Sequence, residues 1–185
     1  MPQKSLYSLA SAVRISLTVL GIMFVVMGAQ VVFGPFLNRF GILPRTTVGL
    51  VGIALSPLLH ANLHHLLANA MPLLVLLTLL WSNREYHPGR TLALIWMASG
   101  LGTWLIGRGQ SIHLGASSLV FGLVAFLILA GFRAKSWSSV LIAVLVFVLY
   151  GGVFYGVLPQ AGPISWEGHL CGAVAGVWAA SRLPT

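Results

Sequence analysis

Three clusters of polar side chains in this apolar sequence have the types and spacing needed for chemistry. The first begins at His60 and includes His65 and Asn69, the second is Ser117 with its neighbours, and the third surrounds His169. A serine hydroxyl becomes a useful nucleophile when an adjacent base takes its proton, and imidazole, with a pKa of about 6.5, suits that role. The clusters therefore predict Ser117 as the nucleophile and His169 as its general base.

A reaction of this kind also needs hydrogen-bond donors for the negative charge that develops on the attacked carbonyl oxygen. His65 and Asn69 are four residues apart, so they share one face of a helix. We expect three donors: the His65 ring N–H, the Asn69 side-chain amide and the backbone N–H of Ser117.

The acidic residues exclude several other mechanisms. The sequence has no aspartate, and its only glutamates are Glu85 and Glu167. A paired-aspartate protease, a Ser-His-Asp triad and a His-Glu-x-x-His zinc site are therefore excluded. The histidines at 60, 64 and 65 have no carboxylate beside them, so we expect neither a metal nor a cofactor. We expect Glu167 at a helix N-terminus, where the helix dipole favours a carboxylate, and His113 in a solvated loop.

Composition indicates which elements position these clusters. The chain has 185 residues, of which 58% are hydrophobic and 6% charged, whereas soluble domains carry about 25% charged residues. The sequence therefore predicts an all-α membrane protein whose surroundings are a lipid bilayer. The net charge of +8 comes from basic residues between apolar runs, which indicates membrane orientation and no nucleic-acid partner.

Apolar runs and their breaks predict one membrane domain over residues 1–185. A helix needs about 20 apolar residues to span a bilayer. Between the first two spans, the first loop (35–61) holds Pro35, Pro44 and Pro57, and we expect it to be partly embedded in the membrane. The predicted spans are residues 13–34, 62–82, 91–107, 115–132, 137–156 and 167–182.

Basic residues predict the orientation of these six spans. The side that holds both termini has seven, against three on the other side (Arg39, Arg45 and Arg108), so both termini are expected in the cytoplasm. All three polar clusters then lie toward the outer ends of their helices, and the site opens outward. The expected location is the plasma (inner) membrane of a prokaryote. The seven are Lys4, Arg14, Arg84, Arg90, Arg133, Lys135 and Arg182.

Small residues predict how the helices meet. Gly168, Gly172 and Gly176 form consecutive Gly-x-x-x-Gly steps, which allow close approach of helix backbones. A similar stripe on the fourth span comprises Gly115, Ser118, Gly122 and Ala125. Packing of the two stripes would bring His169 near Ser117.

In this order, on spans two, four and six, the motifs resemble the signature of the rhomboid family, across about residues 12–182. They are His60 to Asn69, Gly115-Ala-Ser117, and His169-Leu-x-Gly172-x-x-x-Gly176. The resemblance implies a six-helix intramembrane serine protease that cleaves transmembrane protein substrates near the outer membrane face by a Ser-His dyad.

The resemblance also implies roles for further residues. His65, Asn69 and the Ser117 backbone would form the oxyanion hole, and the fifth span with loop 157–166 would form the gate for substrate. The site would be supported by His60, Gly115 and Phe121, the last packing against the catalytic imidazole.

Two departures and several alternatives accompany this interpretation. Ser118 stands where the family usually has glycine, and Asn38-Arg39 stands where the first loop usually has a Trp-Arg pair. Ser117 and Ser118 could instead be helix N-caps, and His169 an interfacial histidine. The chain could be a non-catalytic relative that binds transmembrane helices, or a small transporter. The sequence makes no prediction of oligomeric state.

Overall fold

The structure, a computed structural model, describes residues 7–134, 136–160, 162 and 164–184. Over these ranges the regular structure is helical, and two backbone hydrogen bonds between Ile42 and His113 form an isolated bridge. Short 3-10 helices occupy Gly34–Phe40, Ser56–Leu58, Arg84–Tyr86 and Gly151–Val157. The α-helices are α1 (Leu9–Phe33), α2 (Gly49–Leu55), α3 (Leu63–Trp81), α4 (Pro88–Ile106), α5 (Ser117–Arg133), α6 (Trp137–Tyr150) and α7 (Trp166–Ser181).

Every predicted span coincides with a helix, and the all-α membrane fold is confirmed at that level. Within the described residues, three helical segments are long and apolar enough to cross a membrane: Leu9–Phe33, Leu63–Trp81 and Trp137–Val157. The last of these is α6 together with the 3-10 helix that follows it. α5 and α7 have 17 and 16 residues. Two basic residues used to predict orientation, Lys4 and Lys135, and residues 161 and 163 of the predicted gate loop lie outside the described residues.

Local sequence explains where the helices around the polar clusters begin. The Asn62 side chain accepts a hydrogen bond from the backbone N–H of His65 and caps α3, and Ser165 caps α7 by accepting from Gly168. α5 begins at Ser117, after Gly115 with φ +110°, a backbone conformation that favours glycine. The predicted fourth span therefore starts two residues too early.

The core is built around α5. Leu123, Phe126 and Leu127 on this helix have no exposed surface. Among the described helices, α5 and α7 share the largest interface. A Cβ atom at Gly172 would overlap the carbonyl of Ser118, and one at Gly176 would overlap the carbonyl of Gly122. The predicted packing is therefore confirmed for Gly172 and Gly176, whereas Gly168 faces Thr103 of α4 and Gly115 faces His65 of α3.

The first loop is anchored by α4 without the family's Trp-Arg pair. Arg45 donates through Nη1 to the carbonyls of Leu105 and Gly107, at 2.9 and 2.8 Å. In the other direction, Trp104 donates through Nε1 to the carbonyl of Thr46 at 2.8 Å. The loop also contains α2, which the sequence did not predict, because it is only seven residues long. A cation at the C-terminal carbonyls of a helix is favourable, so Arg45 ties the loop to the end of α4.

Candidate active site

Ser117 and His169 meet where α5 and α7 begin. Ser117 is the first residue of α5 and His169 the fourth of α7, and 2.9 Å separates Ser117 Oγ from His169 Nε2. Both residues are half-buried. The two side chains are 52 positions apart in sequence, and the tight glycine contacts between the helices bring them within hydrogen-bond distance.

The alternative in which Ser117 caps α5 is wrong. The N-cap residue is Ala116, and no side chain caps this helix by a hydrogen bond. The Ser117 hydroxyl instead contacts the imidazole. Ser118 lies at the α5–α7 contact, with its backbone carbonyl against Gly172.

Two contacts orient the imidazole of His169. Phe121 stacks on the ring with a centroid distance of 4.0 Å and an interplanar angle of 12°. On the ring edge, Nδ1 lies 3.0 Å from the carbonyl oxygen of Gly156. Phe121 was predicted to pack here. Gly156 was missed, because a main-chain acceptor has no residue-type signature in a sequence.

His65 of α3 lies beside the turn that precedes Ser117, and Asn69 follows one helical turn later. The His65 ring lies against Gly115: a Cβ atom there would lie 2.5 Å from Cε1 and 2.7 Å from Nε2. Glycine at 115 is therefore needed both for its positive φ and for the space occupied by His65. Asn69 is buried, and its amide donates one hydrogen bond, of 2.9 Å, to the His65 carbonyl. An amide NH₂ has two hydrogens, so a second remains for another acceptor.

His60 is buried beneath the turn that precedes Ser117. Its Nε2 accepts from the backbone N–H of Ala116 at 3.4 Å, and its ring packs edge-on against His65 at 5.2 Å. Burial, with a smaller contribution from His65, lowers the pKa of His60 to about 4, so the ring is neutral and able to accept. Gln30 of α1 exchanges two hydrogen bonds with the His60 backbone, at 2.9 and 3.1 Å. His60 thus links α1 to the Ser117 turn.

An ion pair beside this site joins the loop after α4 to the first turn of α7. Glu167, in the first turn of α7 as predicted, is 1% exposed and lies 2.8 Å from Arg108 Nε. Arg108 also donates to the carbonyls of Gly162 and Ile164. The prediction that His113 is solvated is wrong: it is 5% exposed, and its Nδ1 contacts Ser165 Oγ. Burial lowers the pKa of His113. The sequence did not predict the pair, because its members are 59 positions apart.

Comparison with known proteins matches this chain to one family model and to uncharacterized relatives in mycobacteria. The family model described as Rhomboid domain matches residues 49–183. An uncharacterized protein of Mycobacterium tuberculosis (strain H37Rv) is 46% identical over 179 residues, which cover 90% of this chain and 73% of the relative. An uncharacterized protein of Mycobacterium leprae is 42% identical over 156 residues, covering 80% of this chain and 61% of that relative. No solved structure matches the chain significantly.

Proposed function

The chain belongs to the rhomboid family, and from that premise we propose that it is an intramembrane serine endopeptidase. The observation that carries the proposal is the 2.9 Å contact between Ser117 Oγ and His169 Nε2. At this distance the imidazole can take the proton of the serine hydroxyl, as the base of a Ser-His dyad must. The non-catalytic alternative gives this contact no role.

The proposed reaction proceeds through an acyl-enzyme. Ser117 Oγ attacks the scissile carbonyl carbon while His169 Nε2 takes the hydroxyl proton. The resulting oxyanion is stabilised by the Ser117 backbone N–H, Asn69 and His65. His169 then protonates the departing amine, and water attacks the ester with His169 again acting as the base. The half-buried position of the dyad limits competition from bulk water.

The proposed oxyanion hole predicts a partial loss of kcat when one of its donors is removed. Asn69→Ala removes one donor, and we expect kcat to fall by about 10²–10³-fold, with a smaller change in KM. The measurement is steady-state cleavage of a transmembrane substrate in detergent. Asn83→Ala, which removes the cap of the 3-10 helix Arg84–Tyr86 beyond the other end of α3, is the matched control and should retain most of kcat. Equal kcat in Asn69→Ala and wild type would contradict this assignment.

The remaining proposal concerns the membrane. We propose that α1, α3, α4, α5, α6 and α7 are the six crossings, with both termini cytoplasmic in a prokaryotic plasma membrane and the dyad near the outer face. Ser117, His169 and His65 lie near the starts of α5, α7 and α3, which face one side in this topology. The substrates are transmembrane proteins, which must unwind locally, because the carbonyls of a helix are engaged in hydrogen bonds.

A fluorophosphonate probe tests the dyad without a known substrate. Ser117 Oγ would attack phosphorus and release fluoride, while His169 takes the proton. We expect labelling at Ser117 in the wild type and its loss in His169→Asn, read by mass spectrometry of the labelled peptide. His64→Asn is the control, since His64 is exposed. Labelling that is unchanged in His169→Asn would refute the dyad.

A further inference from the structure

The hydrogen-bond acceptor beside Nδ1 of His169 decides which of the two ring nitrogens carries the hydrogen. Nδ1 lies 3.0 Å from the Gly156 carbonyl oxygen, and Nε2 lies 2.9 Å from Ser117 Oγ. A carbonyl oxygen only accepts hydrogen bonds, and a neutral imidazole has a single N–H. The hydrogen must therefore be on Nδ1, which leaves the Nε2 lone pair facing the serine hydroxyl.

We propose that the main-chain carbonyl of Gly156 is the positioning group that holds His169 in the tautomer able to take the Ser117 proton. The inference rests on the proposed protease function and deepens it. In a Ser-His-Asp triad a carboxylate performs this task, but this chain has no aspartate. The nearby carboxylate, Glu167, directs Oε1 to Arg108. At Nδ1 of His169, the Gly156 carbonyl takes the position that the aspartate carboxylate has in a Ser-His-Asp triad.

Close packing explains why this position is a glycine. A Cβ atom at Gly156 would lie 2.8 Å from Cζ of Phe121 and 3.2 Å from Nδ1 of His169. Both distances are shorter than ordinary carbon contacts of about 3.5–4.0 Å. A side chain would therefore push the carbonyl away from the ring or disturb the Phe121 stack. Gly152, four residues earlier in the same 3-10 helix, has no atom within 4 Å of its Cβ position.

The location of this carbonyl links the dyad to α6. Gly156 belongs to the 3-10 helix Gly151–Val157, which continues α6. Among the described α-helices, α6 packs mainly against α5, and Leu141 and Val148 on it are 68% and 72% exposed. If the segment Gly151–Val157 moves away from α7, the Gly156 carbonyl moves away from Nδ1 of His169. The tautomer of His169 therefore depends on the position of the segment that ends at Val157.

The experiment compares Gly156→Ala with Gly152→Ala in the full chain. Nitrogen-15 NMR of histidine-labelled protein reads the tautomer directly, with the His169 signals assigned by their loss in His169→Asn. In wild type and Gly152→Ala we expect protonated Nδ1 and unprotonated Nε2. In Gly156→Ala we expect a mixture of tautomers and a kcat at least about tenfold lower, with KM within about twofold. A merely structural role would not change the tautomer in folded protein.

A second variant covers the case in which Gly156→Ala does not fold. An ester in place of the 156–157 peptide bond adds no atom and makes the Gly156 carbonyl a weaker acceptor. We expect it to lower kcat by about threefold to tenfold and to shift the tautomer ratio in the same direction. Wild-type protein with hydrogen on Nε2, or folded variants with unchanged tautomer and kcat, would overturn the proposal.

The NMR measurement also separates this proposal from the protease assignment. A wild type that neither cleaves substrate nor reacts with fluorophosphonate refutes the protease function. In that case, a tautomer that changes in Gly156→Ala still supports the positioning role of Gly156. A tautomer that does not change in Gly156→Ala overturns that role.

Discussion

Ser117→Ala is expected to abolish cleavage of a transmembrane substrate while the protein still inserts and folds. Loss of the hydroxyl removes the only atom that the mechanism allows to form the acyl-enzyme, and removal of a serine nucleophile costs about 10⁶-fold in kcat in a well-studied hydrolase. The hydroxyl contacts His169, and the described structure gives it no role in capping α5, so the fold should persist. The measurement is cleavage in detergent, with circular dichroism as the test of folding.

Ser118 provides the matched control for this experiment. It is the next residue, it is also half-buried, and the atoms nearest to a Cβ position at Gly172 are those of its backbone, which substitution leaves in place. Ser118→Ala and Ser118→Gly should both remain active, and the glycine variant restores the residue that the family usually has. Cleavage that persists at the wild-type rate in Ser117→Ala would refute the proposed function. Loss of cleavage in Ser118→Gly would instead show that this departure from the family pattern is essential.

The second large effect is expected from Gly172→Ala and Gly176→Ala. A methyl group at these positions overlaps the backbone carbonyls of Ser118 and Gly122, and a backbone carbonyl cannot rotate away as a flexible side chain can. The helices must separate, and overpacking of this kind costs about 1–3 kcal/mol of stability or more. Separation also lengthens the 2.9 Å contact between Ser117 and His169. A misplacement of about 1 Å can cost about 10²-fold in rate.

Two glycines of α1 are the controls for this substitution. Among the described residues, no atom beyond the neighbouring α1 backbone lies within 4 Å of a Cβ position at Gly21 or Gly28, so alanine fits at both and improves helix propensity by about 0.5–1 kcal/mol. We expect Gly21→Ala and Gly28→Ala to retain activity and unfolding temperature. Gly172→Ala and Gly176→Ala should lower both, as measured by thermal unfolding in detergent and by kcat. Wild-type kcat and stability in Gly172→Ala would contradict the tight α5–α7 contact.

The positions of the helices could be predicted from the sequence, because a segment that spans a bilayer must be long and predominantly apolar. All six predicted spans coincide with helices. Two helices begin earlier than predicted, α1 after its Ser8 cap and α4 at Pro88, and two further differences occur at glycines. α5 begins at Ser117, because Gly115 has a positive φ, and regular α-helix in α6 ends at Tyr150, before Gly151 and Gly152. Hydropathy does not detect such changes, since they depend on backbone geometry rather than on apolar content.

Residue types and spacing alone determined the membrane class and pointed to Ser117 and His169 as the proposed reacting groups. Without aspartate, and with a polar serine and histidine opening two apolar helices, few mechanisms were possible. Only the tertiary structure revealed the Gly156 carbonyl on His169 and the Arg108–Glu167 pair. The physical reason is that every residue carries a carbonyl, and loop geometry selects which one reaches a ring. Partners 59 residues apart likewise meet only after the loops that carry them have folded.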